Sequence, residues 1–188
     1  MKRPIIILCM LLLGCVLIFS DNLDFPFEPE VIPVRFRLTK NLVQTEVRHD
    51  TNQPYHIAFS DRHSSYEIRY ILFGISKKVK IFDDLEILYP LFAQSILLNI
   101  AGEEKNILST SNLTGDMLNY HFHASKAFQC SLLGRGSKFT KEYDFIIISF
   151  YFNEKYGIVC QTLLYNDPKI TTNPQLEDDL ASFQFPEK

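Results

Sequence analysis

Tryptophan is absent from this 188-residue chain, and cysteine is scarce, with four in all. Cys9 and Cys15 fall near the start and only Cys130 and Cys160 lie beyond. Without tryptophan, the work of filling a core falls on 16 Phe and 9 Tyr, so the interior is expected to be built on phenyl rings. Two late cysteines with no Cys-x-x-Cys spacing exclude a zinc-ribbon or thioredoxin-type motif. After Phe19 no long apolar run recurs, which excludes a second membrane span. No Gly-x-Ser-x-Gly elbow and no Gly-x-x-x-x-Gly-Lys loop is present, which argues against an α/β-hydrolase and against a nucleotide cradle. No period of repeat length appears. A basic excess is missing too. Leaving out Lys2 and Arg3, 17 basic residues stand against 22 acidic ones. Nucleic-acid affinity rests on neutralised phosphates, so a nucleic acid is not expected as a partner.

What is present is concentrated at the N-terminus. Lys2 and Arg3 precede 16 residues, Pro4 to Phe19, without charge or strong polarity. Polarity returns at Ser20-Asp21-Asn22. A basic n-region followed by an apolar h-region is the layout of a secretory signal. Leu12, Gly14 and Cys15 resemble the bacterial lipoprotein box Leu-x-Gly-Cys, which implies lipidation of Cys15. Two other outcomes stay open: cleavage after Ser20, or an uncleaved anchor slightly short of the roughly 17–25 residues a spanning helix needs. Residues 1–20 are therefore read as a signal or membrane anchor, and the protein as extracytoplasmic and membrane-associated. If the lipid reading holds, the compartment is a bacterial periplasm or cell envelope; if the chain is cut near Asp21, the protein is secreted.

Residues 21–33 hold Pro26, Pro29 and Pro33 with Glu28 and Glu30, the composition of a tether. Residues 34–188 are enough for one domain with a full core. Val34 to Leu38 alternates as a half-buried strand, continued weakly by Val43, Thr45 and Val47. Tyr55, Ile57 and Phe59, then Tyr66, Ile68, Tyr70 and Leu72, frame a hairpin around Ser60 to Ser65. Glu67 and Arg69 fall on the opposite side, as on a sheet with one wet face. Asp83 and Asp84 open a helix that runs on Leu88, Phe92, Ile96 and Ile100 to Gly102, with Pro90 as a kink or a later start. Leu113, Met117 and Tyr120 fit a second helix, and Phe128, Cys130 and Leu132 alternate as a strand. Phe145 to Phe152 reads as a strand buried on both faces, with Ile158 to Tyr165 as its partner. Glu177 to Leu180 is a helical start or a loop, and Ser182 to Phe185 a closing strand. The expected class is α+β: an antiparallel sheet flanked by helices in an α/β/α sandwich.

Phe122-His123-Ala124-Ser125, Lys138-Phe139 and Tyr143 leading into Phe145–Phe152, then Gly157 to Asp167 and Ser182-Phe183-Gln184-Phe185, resemble the C-terminal half of the PsbP/Mog1-like fold. That resemblance implies a non-catalytic binding or accessory module, since such proteins serve as photosystem accessory proteins, as partners of small GTPases or as exported bacterial proteins. It transfers no functional residue.

Candidate chemistry is sparse. In a strand His121 and His123 would share one face and, with a carboxylate such as Asp116, could hold zinc; in a helix they would diverge by about two hundred degrees. The preferred reading has one ring packed with its edge satisfied and the other solvated. His63 stands near Asp61, Ser64 and Ser65, the ingredients of a hydrolytic triad, yet such close neighbours more often bond within a turn. Gly134-Arg135-Gly136-Ser137-Lys138 lacks phosphate-loop spacing. The pairs Asp83-Asp84, Glu103-Glu104 and Asp178-Asp179 read as helix-end or surface charge. Asn112-Leu113-Thr114 is a formal glycosylation acceptor. Cys130 and Cys160 are either a disulfide or, the preferred reading, buried free thiols. No cofactor and no catalytic residue is implied. The expected function is an exported, membrane-tethered binding module with an envelope protein partner. The alternatives are a secreted hydrolase built on His63 or His121/His123, and a carrier of an apolar ligand.

Overall fold

The β-branched and aromatic run Phe145–Asn153 and its partner Gly157–Tyr165 form the spine of the sheet, and the rest of the chain assembles around them. A computed structural model describes residues 27–29, 32–75, 85–102, 106–134, 138–140 and 142–187. Its strands are β1 (Phe27–Pro29), β2 (Arg35–Phe36), β3 (Leu42–Thr45), β4 (Ile57–Asp61), β5 (Tyr66–Ile75), β6 (Ile107–Leu113), β7 (Lys126–Leu133), β8 (Phe145–Asn153), β9 (Gly157–Tyr165) and β10 (Phe183–Gln184). Its helices are α1 (Leu85–Ala101), α2 (Asp116–His121) and α3 (Pro174–Leu180), and a 3₁₀ turn spans Pro168–Thr172.

The main sheet is antiparallel, in the order β3-β4-β5-β9-β8-β7-β6. β1 pairs with the end of β5, on the edge whose first half β4 occupies. β2 and β10 make a separate two-stranded ribbon. The two-residue period sorts β8 cleanly. Ile146, Ile148, Phe150 and Phe152 face α1, which returns Tyr89, Phe92, Ala93, Ile96 and Ile100. On the other face, Tyr151, Val159, Leu163, Ile68 and Tyr70 meet Leu118 of α2, Leu176 of α3, Phe183 and Phe185. The architecture is thus a sheet between two helical layers. Its rings pack on one another, as in Phe73 against Phe92 (4.8 Å, edge-on) and Phe128 against Phe150 (4.8 Å, stacked).

Several expectations need correction. The sheet has no wet face at β5: Arg69 is fully buried between Tyr55 and Phe139. Tyr55 belongs to the α1 face, opposite Ile57 and Phe59. Within the stretch read as a tether, Phe27–Pro29 is a strand and both Phe27 and Ile32 are buried. Pro29 is tolerated there because, among the described residues, β1 pairs on one side only. Pro90 lies inside α1 rather than at its start. The helix ends at Gly102 (φ 71°), whose N–H donates to the Leu98 carbonyl. The second helix is shorter than its pattern, because Leu113 belongs to β6, a strand its polar sequence conceals. The readings that rest on residues 1–26, Asp83-Asp84, Glu103-Glu104 and residues 135–137 lie outside the described residues. Among the described residues no helix is long and apolar enough to cross a membrane.

Candidate functional site

The short helix α2 ends at Phe122, and the next residue, His123, takes a left-handed backbone (φ 53°) that turns the chain into β7. This turn is fastened from three sides. Asn153 donates from Nδ2 to the His123 carbonyl at 2.7 Å. The Phe185 N–H donates to the Phe122 carbonyl at 3.1 Å. The His123 ring lies between the C-terminal strand's own groups, with Nδ1 at 2.9 Å from the Phe185 carbonyl and Nε2 at 3.0 Å from Nε2 of Gln184. A carbonyl only accepts, so Nδ1 carries the proton and Nε2 accepts from the Gln184 amide. Both nitrogens of the imidazole are therefore engaged in holding the C-terminal segment.

Beside this turn lies a half-open cleft of 390 Å³, lined among others by Arg37, Tyr120, His121, His123, Gln184 and Glu187. β2 delivers the chain to Arg37, whose N–H donates to the Ser182 carbonyl at 2.7 Å. Tyr120 is 84% exposed, the most exposed of the large hydrophobic side chains among the described residues. His121 is half-buried, its ring edge-on to Phe122 at 5.5 Å. The cleft thus joins an unsupported phenol ring, a guanidinium, an imidazole and a carboxylate on one surface. Arg37, Tyr120, Gln184 and Glu187 carry no motif, and only the return of the C-terminal strand onto β2 brings them together. His121 closes helix α2 and His123 follows it in the turn, so the two do not share the face of a strand, although both line the cleft. Among the described residues no group of three His, Cys, Asp or Glu is placed to hold a metal. The side chain of Asp116 is outside that description.

His63 is elsewhere. Asp61, ahead of it, accepts from the backbone N–H groups of His63 and Tyr66 at 3.2 and 3.1 Å and from that of Ser65. Its carboxylate is spent on closing the β4–β5 turn. The hairpin enters β5 at Tyr66, which faces Tyr165 and so Phe145, whereas the His123 turn adjoins Phe152. Seven residues of β8 separate the two ends, roughly 23 Å. His63 and the His121/His123 pair do not converge.

Cys130 and Cys160 are buried free thiols on the α1 face. They sit on β7 and β9 with β8 between, Cys130 opposite Ile148 and Cys160 opposite Phe150. Two strand spacings are roughly 9–10 Å, beyond the roughly 7 Å a disulfide can bridge. The strand order therefore rules out the disulfide. Burial raises both thiol pKa values, Cys130 to about 11.

Two buried polar clusters went unread in the sequence. Arg69 pairs through Nε with Glu67 at 2.6 Å, donates from Nη1 to the Phe139 carbonyl, and lies over the Tyr55 and Phe139 rings at 4.7 and 5.0 Å. Glu67 also accepts from the Tyr143 hydroxyl at 3.2 Å. Asp179 of α3 is fully buried and accepts from Thr39, Tyr66 and Asn41 (2.8 Å), tying the helix to β5 and to the loop before β3. Both clusters look inward and serve packing.

No protein-family model matches the chain, and no curated protein matches it. Among solved structures it is similar to the solution structure of cyanobacterial PsbP (CyanoP) from Synechocystis sp. PCC 6803. That similarity covers 80% of this chain and 85% of the other, at 13% identity and a TM-score of 0.49.

Proposed function

We propose that the protein is an exported binding module, held at a membrane through residues 1–20 or a lipid on Cys15, which docks an envelope protein over the Tyr120 cleft without catalysing a reaction. The observation that carries this reading is the contrast within the cleft. The ring of His123 is spent on Phe185 and Gln184, while Tyr120 is left standing in solvent beside Arg37. Exposed tyrosine next to arginine is the composition of a protein-binding hot spot. Against the hydrolase alternative, the Asp61 carboxylate beside His63 is taken up by the backbone N–H groups of its own turn, and both ring nitrogens of His123 are engaged by the C-terminal strand. The carrier alternative finds its aromatic rings packed against each other in the core.

The test is a photo-crosslinking amino acid at position 120, expressed in cells that retain the native membrane. A discrete protein adduct, lost on Arg37→Glu, is the expected result. Absence of an adduct, or an esterase or peptidase activity abolished by His121→Ala, would overturn the reading. Intact mass of the membrane-extracted protein decides the anchoring, because a lipidated Cys15 terminus, an Asp21 terminus and the full chain have three distinct masses.

A further inference from the structure

Every open sheet has two edges, and an exposed edge is a line of backbone N–H and C=O groups ready to pair with another extended chain. Here the two edges of the main sheet are treated differently. β3 is only four residues long and runs into Glu46 and Arg48, the latter in an ion pair with Glu142. Short length and charge are standard guards of an edge. β6 at the other end has seven residues, Ile-Leu-Ser-Thr-Ser-Asn-Leu, with neither charge nor proline. Among the described residues no strand pairs with its outer side. Residues 108–112 are exposed, Leu108 at 56%, so among the described residues the middle of this strand is uncovered, while Ile107 and Leu113 at its ends are half-buried against the two core clusters. A bulge between Ile107 and Ser109 bends its start and leaves Ser109–Leu113 in continuous register with β7.

We infer that the outer edge of β6 pairs with β6 of a second copy of this chain, antiparallel about a twofold axis at Thr110. Three features favour a second copy over a foreign strand. The sheet is antiparallel throughout, so a twofold operation at its edge continues the same ladder. About an axis at Thr110, Thr110 meets its own copy, Ser109 meets Ser111, and Leu108 meets Asn112. Threonine and serine across strands form favourable hydrogen-bonded pairs. The absence of charge removes the repulsion that identical strands suffer when like charges fall opposite each other.

Sedimentation of the full chain in detergent micelles tests this. The native chain should dimerise. Thr110→Lys should raise the dimer dissociation constant at least about tenfold, a factor worth about 1.4 kcal/mol, with an unchanged circular-dichroism spectrum because the residue is exposed. Thr110→Glu should do the same, and an equimolar mixture of the two variants should recover the dimer by placing opposite charges across the axis. A monomeric native chain would overturn the inference. So would a dimer that Thr110→Lys leaves intact, which would place the contact in residues 1–20 or elsewhere. Failure of the mixed variants to reassociate would do so as well.

Discussion

Arg69 shows what a single residue can hide. In the sequence it alternates with apolar neighbours and reads as the solvated side of a strand. In the structure it is sealed in the core, with Glu67 as its counter-charge and two aromatic rings as its walls. Alternation alone does not say whether the second face of a sheet is covered, because the cover comes from α1 and from Phe139, both distant in the chain. Removing one partner of a buried pair strands the other's charge, so Arg69→Met is expected to destabilise the fold by about 3–5 kcal/mol. The double change Glu67→Leu with Arg69→Met should recover most of that loss. Urea denaturation of both variants measures it, and a single variant within about 1 kcal/mol of the native chain would contradict the buried pair. The histidines were legible only in part. The sequence reading had one ring packed and the other solvated; His123 is engaged at both nitrogens, but His121 is half-buried against Phe122, and the groups that hold His123 come from Phe185 and Gln184, some sixty residues away.

Among the elements, long runs with a clear period could be read from the sequence, and short polar ones could not. β8 and β9 announce themselves by β-branched and aromatic composition. α1 does so by helical spacing that survives Pro90. β6 escapes because its run of Ser, Thr and Asn shows no apolar alternation, and β1 escapes because Pro29 masks three residues of edge pairing. The helix α3 was half-visible as Glu177 to Leu180. Its anchor was not, since the donors to Asp179 come from Thr39, Asn41 and Tyr66. That anchor outweighs the helix's own cap. Asn173 caps the N-terminus by accepting from the Gln175 N–H at 3.0 Å, and Asn173→Ala is expected to cost about 1 kcal/mol. Asp179→Ala leaves the buried Tyr66 hydroxyl and the half-buried Thr39 and Asn41 donors without their carboxylate and is expected to cost about 3 kcal/mol. Thermal or urea unfolding of the two variants orders them, and a reversed order would show that α3 is held by its cap and its apolar contacts instead.

For the molecule as a whole, the layered α+β architecture was readable because two central strands, one long helix and several hairpin turns admit few other arrangements. Its response to base follows from burial. Cys130 is pushed up to about 11, Tyr70 to about 12, and Cys160, Tyr66, Tyr89 and Tyr151 are also raised, in each case chiefly by desolvation. The unfolded chain gives up these protons first as pH rises, beginning near pH 9 for the thiols. Folded stability from these groups is thus complete below about pH 8.5 and is lost as pH climbs toward 11 and beyond. Urea midpoints are expected to fall steadily from pH 9 upward, with Cys130 and Cys160 becoming reactive toward a thiol reagent only at unfolding. Reaction of Cys130 or Cys160 with a thiol reagent while the chain remains folded would contradict the burial. One further consequence comes from β1. By joining the sheet at Phe27 it leaves only residues 21–26 between the apolar N-terminus and the fold. Six residues reach at most about 20 Å. On a bilayer held through residues 1–20, the body would ride against the headgroups instead of swinging free. A pull on that leash would load the three-residue junction between β1 and β5 before any other part of the protein.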